Sequence, residues 1–297
     1  MENFDDIFDN SSPGERQGGQ QYSKDEYAAM KKGEREELYA WLDATAMSAA
    51  AEPAAFRQYL DVQSRFDRYS AVNALLVLSQ KPNAERLGDL AYWRKQKVFI
   101  QKDEINNPIR ILEPGDQYQR EDGSIGTYFN IKYVYDISQA ERKILPPAPP
   151  KYTERQIIQA LISKYPQKIM LVDELPDDRG AMTNQDGEIL VRKSMAFSDT
   201  FRSVAYEMAC LELTGGTELS PEQEFSVYSA TYMLCKKYGA ETGAFNFDNV
   251  GGVFAGMDAQ EVKGELSLIR DAADGISKRM EQNLDAIQKA AKAQEAR

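Results

Sequence analysis

Residues 206–210, Tyr-Glu-Met-Ala-Cys, have the spacing of a metal-binding catalytic helix. Positions i and i+4 share one helix face, so two imidazoles there, with a glutamate after the first, bind a divalent ion and polarise the water it carries. Here tyrosine and cysteine occupy the two ligand positions, and only Glu207 keeps its expected type. The 297 residues contain no histidine. That removes the commonest metal ligand, the commonest general base and the usual partner of a nucleophilic serine or cysteine. A catalytic zinc takes three protein ligands, and one thiolate with one carboxylate falls short. No metal, no cofactor and no catalysis are therefore expected, leaving Tyr206, Glu207 and Cys210 as relic positions. Carboxylate-based magnesium or acid/base chemistry has no motif to support it. Cys210 and Cys235 are too few for a disulfide framework and read as buried thiols.

A second group is suited to nucleic acid. Trp93 followed by Arg94, Lys95 and Lys97 combines a stacking ring with phosphate-pairing cations. The same residues also describe a capped core tryptophan beside a solvated basic strand. Tyr128, Tyr133 and Tyr135 alternate as sheet-packing residues do. Net charge is −11, but residues 55–151 carry 15 Lys and Arg against 12 Asp and Glu, so a weakly basic middle lies between acidic flanks.

The elements that must position these groups are legible from periodicity. Residues 1–22 are acidic and polar, predicting a disordered tail, and they have neither the basic start nor the apolar stretch of a secretory signal. No apolar run approaches the roughly 18 residues that would span a bilayer, so a cytoplasmic protein is expected. Helices are predicted from residue 23 to about 50, with Tyr39, Trp41, Leu42 and Ala46 as its apolar stripe, and over 53–66 and 70–80. After Pro82 come β-prone runs at 98–100, 109–112 and 128–137. Four prolines in 144–152 predict an extended spacer. Beyond it the pattern gives a helix over 153–165, a strand at 168–172, a hairpin of 181–183 with 189–191, and helices over 199–213 and 221–238. Residues 262–287 repeat apolar positions by threes and fours, a long amphipathic helix suited to its own domain or to a protein partner.

Several separate motifs then agree. The stretch FDRYSAVNALLVLSQKPNAERLGDLAYWRKQKVFIQKDE, followed by YVYDISQ, resembles the N-terminal single-stranded-DNA-binding domain of ArdC-type antirestriction proteins. The later strand, hairpin and helix order, with EQEFSVYSATYMLCKKYGAETGAF and GELSLIRDAADGISKRM, resembles the zincin-like domain of the same proteins. The resemblance covers about residues 53–285. It implies DNA contact by Asn73, Gln80, Trp93, Lys95 and Lys102, within a binding segment from Arg68 and Tyr69 to Lys102 that includes Arg94 and Lys97. The family's lysine-glycine turn is replaced here by Gln101-Lys102-Asp103-Glu104. The third metal ligand of the family falls on Tyr228, with Glu224 one turn away.

The sequence thus predicts an α+β protein. A disordered tail (1–22) precedes a helical plus small-sheet single-stranded-DNA-binding-like domain (23–145), a proline-rich linker (146–152) and a degenerate zincin-like domain with a long C-terminal helix (153–297). The expected function is that of a non-catalytic single-stranded-DNA-binding accessory protein of a bacterial mobile genetic element, linked to antirestriction or conjugation. The alternatives are a protein-interaction or decoy module without DNA affinity, and a residual hydrolase using Glu207. The expected partners are single-stranded DNA and a protein on the C-terminal helix, with no membrane.

Overall fold

Capping residues define several of the helix boundaries in the computed structural model, which describes residues 24–120, 123–141 and 152–295. The expected tail and almost all of the proline-rich linker lie outside the described residues. Helix α1 (Lys24–Ala51) is followed by α2 (Pro53–Arg65), opened by a proline whose missing N–H costs nothing in a first turn. Ser70 caps α3 (Ala71–Gln80) and Asp89 caps α4 (Leu90–Lys95). Thr153 and Gln156 form a capping box on α5 (Glu154–Ile162), as Ser220 and Gln223 do on α7 (Pro221–Tyr238). Helix α6 (Phe197–Thr214) ends on Gly215 and α7 on Gly239, both with positive φ, which glycine adopts without a Cβ clash. A short α8 (Val250–Val253) precedes α9 (Ala259–Glu295), the long C-terminal helix of 37 residues. With two small sheets, the protein is α+β as expected.

Contacts divide the chain into two units, Met1–Tyr39 and Ala40–Arg297. Within the second, α2 packs on α3, α7 and α8. Its Phe56 is fully buried, with ring centroids 5.2 Å from Phe225, 5.2 Å from Phe247 and 5.9 Å from Phe254. The turn after α2 is fixed by charge. Lys237 of α7 binds Asp67, donates to Ser277 Oγ at 2.6 Å and to Glu281 Oε1 at 2.8 Å, while Arg270 donates to the Asp67 carbonyl.

The first sheet has the order β1-β3-β2, from β1 (Leu87–Gly88), β2 (Ile109–Gln119) and β3 (Ile125–Asp136), all antiparallel. Strand β2 is an edge, and α3 covers part of it. Asn73 donates to Leu112 O and accepts from Leu112 N, both at 2.8 Å; Gln80 does the same for Arg110 at 2.8 and 2.9 Å. A side-chain amide offers one donor face and one acceptor, so the two side chains replace a missing neighbouring strand. The predicted strand over 98–100 is absent: Ile100 makes only an isolated bridge to Ala140, because α4, capped by Asp89, runs to Lys95 just before it. Alternation along β3 does not translate into burial either, since Tyr135 is 5% exposed but Tyr133 is 36% and Phe129 42% exposed. The hairpin extends past the core that covers its base. In α1 the buried stripe runs through Leu42, Ala46 and Ala49, leaving the expected Tyr39 and Trp41 exposed.

The second sheet has the order β4-β6-β5, with β4 (Ile169–Val172) parallel and β5 (Ala181–Thr183) antiparallel to β6 (Ile189–Arg192). Helix α6 lies against β5 and β6, with α7 and α9 beside it.

Asp136, at the end of β3, is fully buried and organises the loops around it. Its carboxylate accepts from the backbone N–H groups of Glu85, Arg86 and Ser138 at 2.8 to 2.9 Å. Burial pushes the carboxyl pKa up, but the hydrogen bonds from Ser138, Arg86 and Glu85 outweigh that and hold it below the ordinary carboxylate range. The unfolded chain therefore takes up this proton first as pH falls. The contribution is complete above the ordinary carboxylate pKa and is lost as pH drops through the lower folded value. Asp136→Asn is expected to cost about 2 to 3 kcal/mol at pH 7 in urea unfolding, with the gap to the native chain narrowing below about pH 4.

Candidate functional site

In the second half, α6 sets Glu207 against the edge strand β5. Glu207 Oε2 accepts from Thr183 N at 2.8 Å and Thr183 Oγ1 at 2.7 Å. The glutamate that a catalytic helix would aim at bound water thus pins an edge strand instead. Cys210, one turn further along, is pushed up to about 12 by burial and then by the Glu207 and Glu224 carboxylates. Burial, with Cys210 and the same carboxylates, raises the Tyr206 phenol as well. Tyr228 turns its hydroxyl to accept the backbone N–H of Asn246 at 2.8 Å, so Glu224 is the α7 residue that acts on this face.

In the absence of a metal, this environment favours the protonated forms of Cys210 and Tyr206. Among the described residues no group of three His, Cys, Asp or Glu side chains is placed to hold a metal ion. At the position where a metal would sit the donors are one phenol and one thiol, with the Glu207 carboxylate engaged by Thr183.

The residues expected to contact DNA fall into three environments. Trp93 is fully buried among Val98, Ile100, Tyr135 and Ala140, and its indole N–H donates to Tyr135 O at 2.9 Å. Of the two alternatives for this residue, the structure has the capped core tryptophan. Asn73 and Gln80 hold β2, Arg68 pairs with Glu281 at 3.0 Å, and Tyr69 is half-buried and stacked on Phe66. Arg94, Lys95, Lys97 and Lys102 are exposed. Between them stands Phe99, 62% exposed although its neighbours Val98 and Ile100 are buried. Sequence reasoning missed Phe99; the alternation Val98-Phe99-Ile100, with both neighbours facing the core, was the signal for an outward ring. Tyr118 and Tyr128 form another exposed pair on the hairpin, with ring centroids 4.3 Å apart.

The fold therefore presents an exposed aromatic and cationic surface at 94–102 and, separately, a helix face carrying Tyr206, Glu207 and Cys210 against an edge strand. Two crystal structures of the antirestriction protein ArdC from plasmid R388 are similar to this chain. The metal-free one has a TM-score of 0.42 and 14% identity, covering 73% of this chain and 86% of that one. The Mn(II)-bound one has a TM-score of 0.37 and 14% identity, covering 76% and 97%. No family profile and no curated protein matches the chain. Likeness at this level assigns no residue a role. No helix of the described residues is long and apolar enough to cross a membrane.

Two outcomes follow from the environments of α6 and α7. Burial raises the Cys235 thiol, like that of Cys210, to about 12. At pH 8 both are expected to alkylate about a thousandfold more slowly in the folded protein than a free thiol, and both at the free rate in denaturant, read by mass spectrometry. Glu207→Ala leaves the Thr183 N–H without its acceptor, so a loss of about 1 to 3 kcal/mol and faster amide exchange at Thr183 are expected.

Proposed function

We propose that the chain is a non-catalytic single-stranded-DNA-binding protein whose peptidase-like half has a structural rather than hydrolytic role. The observation that carries this is the stretch 94–102. It presents four cationic side chains around an outward phenylalanine on a backbone anchored by buried Trp93, Val98 and Ile100. Single-strand binders pair phosphates with cations and stack bases on aromatic faces, and neither interaction depends on base sequence. The chain as a whole is acidic, so a local cationic surface is needed for any strand to approach. Placement among the ArdC-type antirestriction proteins of mobile elements rests on the sequence motifs. The donor chemistry at Tyr206, Cys210 and Tyr228 supports the non-hydrolytic part.

The test is a titration of labelled oligothymidylate into the protein over a range of salt. Affinity should fall with salt, and changing Lys95, Lys97 and Lys102 together to alanine should flatten the log–log slope by about 2, at ~0.7 for each phosphate left unpaired. Phe99→Ala should weaken binding about fivefold or more with the slope unchanged. Absence of binding at low salt would overturn the proposal and leave the acidic interaction module, with α9 as its partner surface, as the reading to pursue.

A further inference from the structure

The β2–β3 hairpin has two outer edges, and only one of them is closed. In an antiparallel ladder alternate residues turn their N–H and carbonyl groups to the neighbouring strand, and the residues between them turn theirs outward. On β2 the outward groups of Arg110 and Leu112 are taken by Gln80 and Asn73. The next outward position is Pro114, which has no N–H, and a bulge follows between Pro114 and Gln117. A covering helix, a proline and a bulge are the devices that keep an edge strand from pairing.

Strand β3 has none of them on its outer side. Tyr133 and Ile131 lie opposite Arg110 and Leu112, so their backbone groups point away from β2, and by alternation so do those of Phe129, Thr127 and Ile125. On that side β1 pairs only with Tyr135 and Asp136. Among the described residues no hydrogen bond reaches the outward backbone groups of Ile125, Thr127, Phe129 or Ile131. The side chains of the same stretch are apolar and open to solvent, Ile125 at 68% and Tyr128 at 56%.

The strand is also complementary to itself. Two copies of β3 set antiparallel about a two-fold axis at Phe129 exchange N–H and carbonyl between the two Phe129 residues, and between Thr127 of each copy and Ile131 of the other. Ile125 then lies across from Tyr133, and Thr127 across from Ile131, which are β-branched and aromatic pairs of the kind that stabilise sheets. The one charged residue between 125 and 134 is Lys132, which pairs with Glu113 at 3.0 Å and in this register faces Gly126 of the other copy. No like charges meet. Assembly stops at two copies, because the outer edges of the joined sheet are the closed edges of β2.

We propose that the chain forms a two-fold dimer by antiparallel pairing of β3 with β3 of a second copy. Two strands beyond a core are marginal alone, and the pairing supplies a third and a fourth. The contact is small, so the dissociation constant is on the order of 10 µM. Each copy has a net charge of −11, so salt tightens the dimer, whereas it weakens binding to DNA. The proposal stands independently of the single-strand reading.

Sedimentation equilibrium of the native protein from about 1 to 100 µM is the test, with Phe129→Lys, Phe129→Glu and Thr127→Pro beside it. The native mass should rise from one chain towards two, at lower concentration in high salt. Phe129 is exposed, so neither charge disturbs the core, but each sets like charges face to face and should weaken association at least about tenfold. Mixing the two charge variants in equal amounts should restore it, because opposite charges then meet. Thr127→Pro removes an outward N–H while leaving the hairpin ladder whole, and should weaken association likewise. In the native protein, amide exchange at Thr127, Phe129 and Ile131 should slow as concentration rises, while that at Arg110 and Leu112 stays constant. A single-chain mass throughout, exchange at those three amides that ignores concentration, or a dimer that both charge variants leave unchanged would each overturn the pairing. A mixture no more associated than either charge variant alone would overturn the register about Phe129, and the proposal with it.

Discussion

Two side-chain amides join the helical and the sheet parts of the first half. Asn73 and Gln80 each exchange a donor and an acceptor with β2, so the strand edge is satisfied by a helix. Everything distal to that edge inherits its position. The β2–β3 hairpin, with Asp136 at its base and Trp93 seated under Tyr135, meets α3 along this edge, where the four hydrogen bonds add to direct packing of α3 on β2. An apolar pair at 73 and 80 would pack on the strand but leave its outward N–H and carbonyl groups without partners, which is why amides stand there.

Much of this architecture was legible in the sequence, because caps are local. The Ser-x-x-Gln box ahead of α7, the Thr-x-x-Gln box ahead of α5 and Gly239 at the end of α7 each act within a few residues, and the predicted helices follow them closely. The hairpin of β5 and β6 was legible for the same reason. Trp93 was not, since the acceptor that decides its fate, Tyr135 O, lies 42 residues away. The short helix α4 was hidden by the β-prone residues after it, although Asp89 was available as its cap. Asn73 and Gln80 were singled out, but a polar residue that reaches a backbone across the fold looks, in one dimension, like one that reaches a ligand. Trp41 escaped notice as a surface group because its helix pattern assigned it to a buried stripe that in fact runs through Leu42 and Ala46.

In the second half, the helix that carries Tyr206, Glu207 and Cys210 is held against the sheet through its glutamate. The Glu207 carboxylate is engaged by Thr183, so removing it would loosen the sheet. The side chains at 206 and 210 are half-buried groups whose neutral forms are favoured. Neutral side chains relieve the repulsion that an empty cluster of carboxylates and thiolates would create around Glu207 and Glu224. Stability alone is reason enough for this helix and strand to keep their geometry.

The place of α2 sets an order on biosynthesis. Phe56 is completed by rings at 225, 247 and 254, so its apolar face has no permanent cover until those distant segments have left the ribosome. Contacts of such long separation close slowly. Phe56 therefore lacks its aromatic cover through most of synthesis, and α2, though made early, is among the last elements to complete its packing.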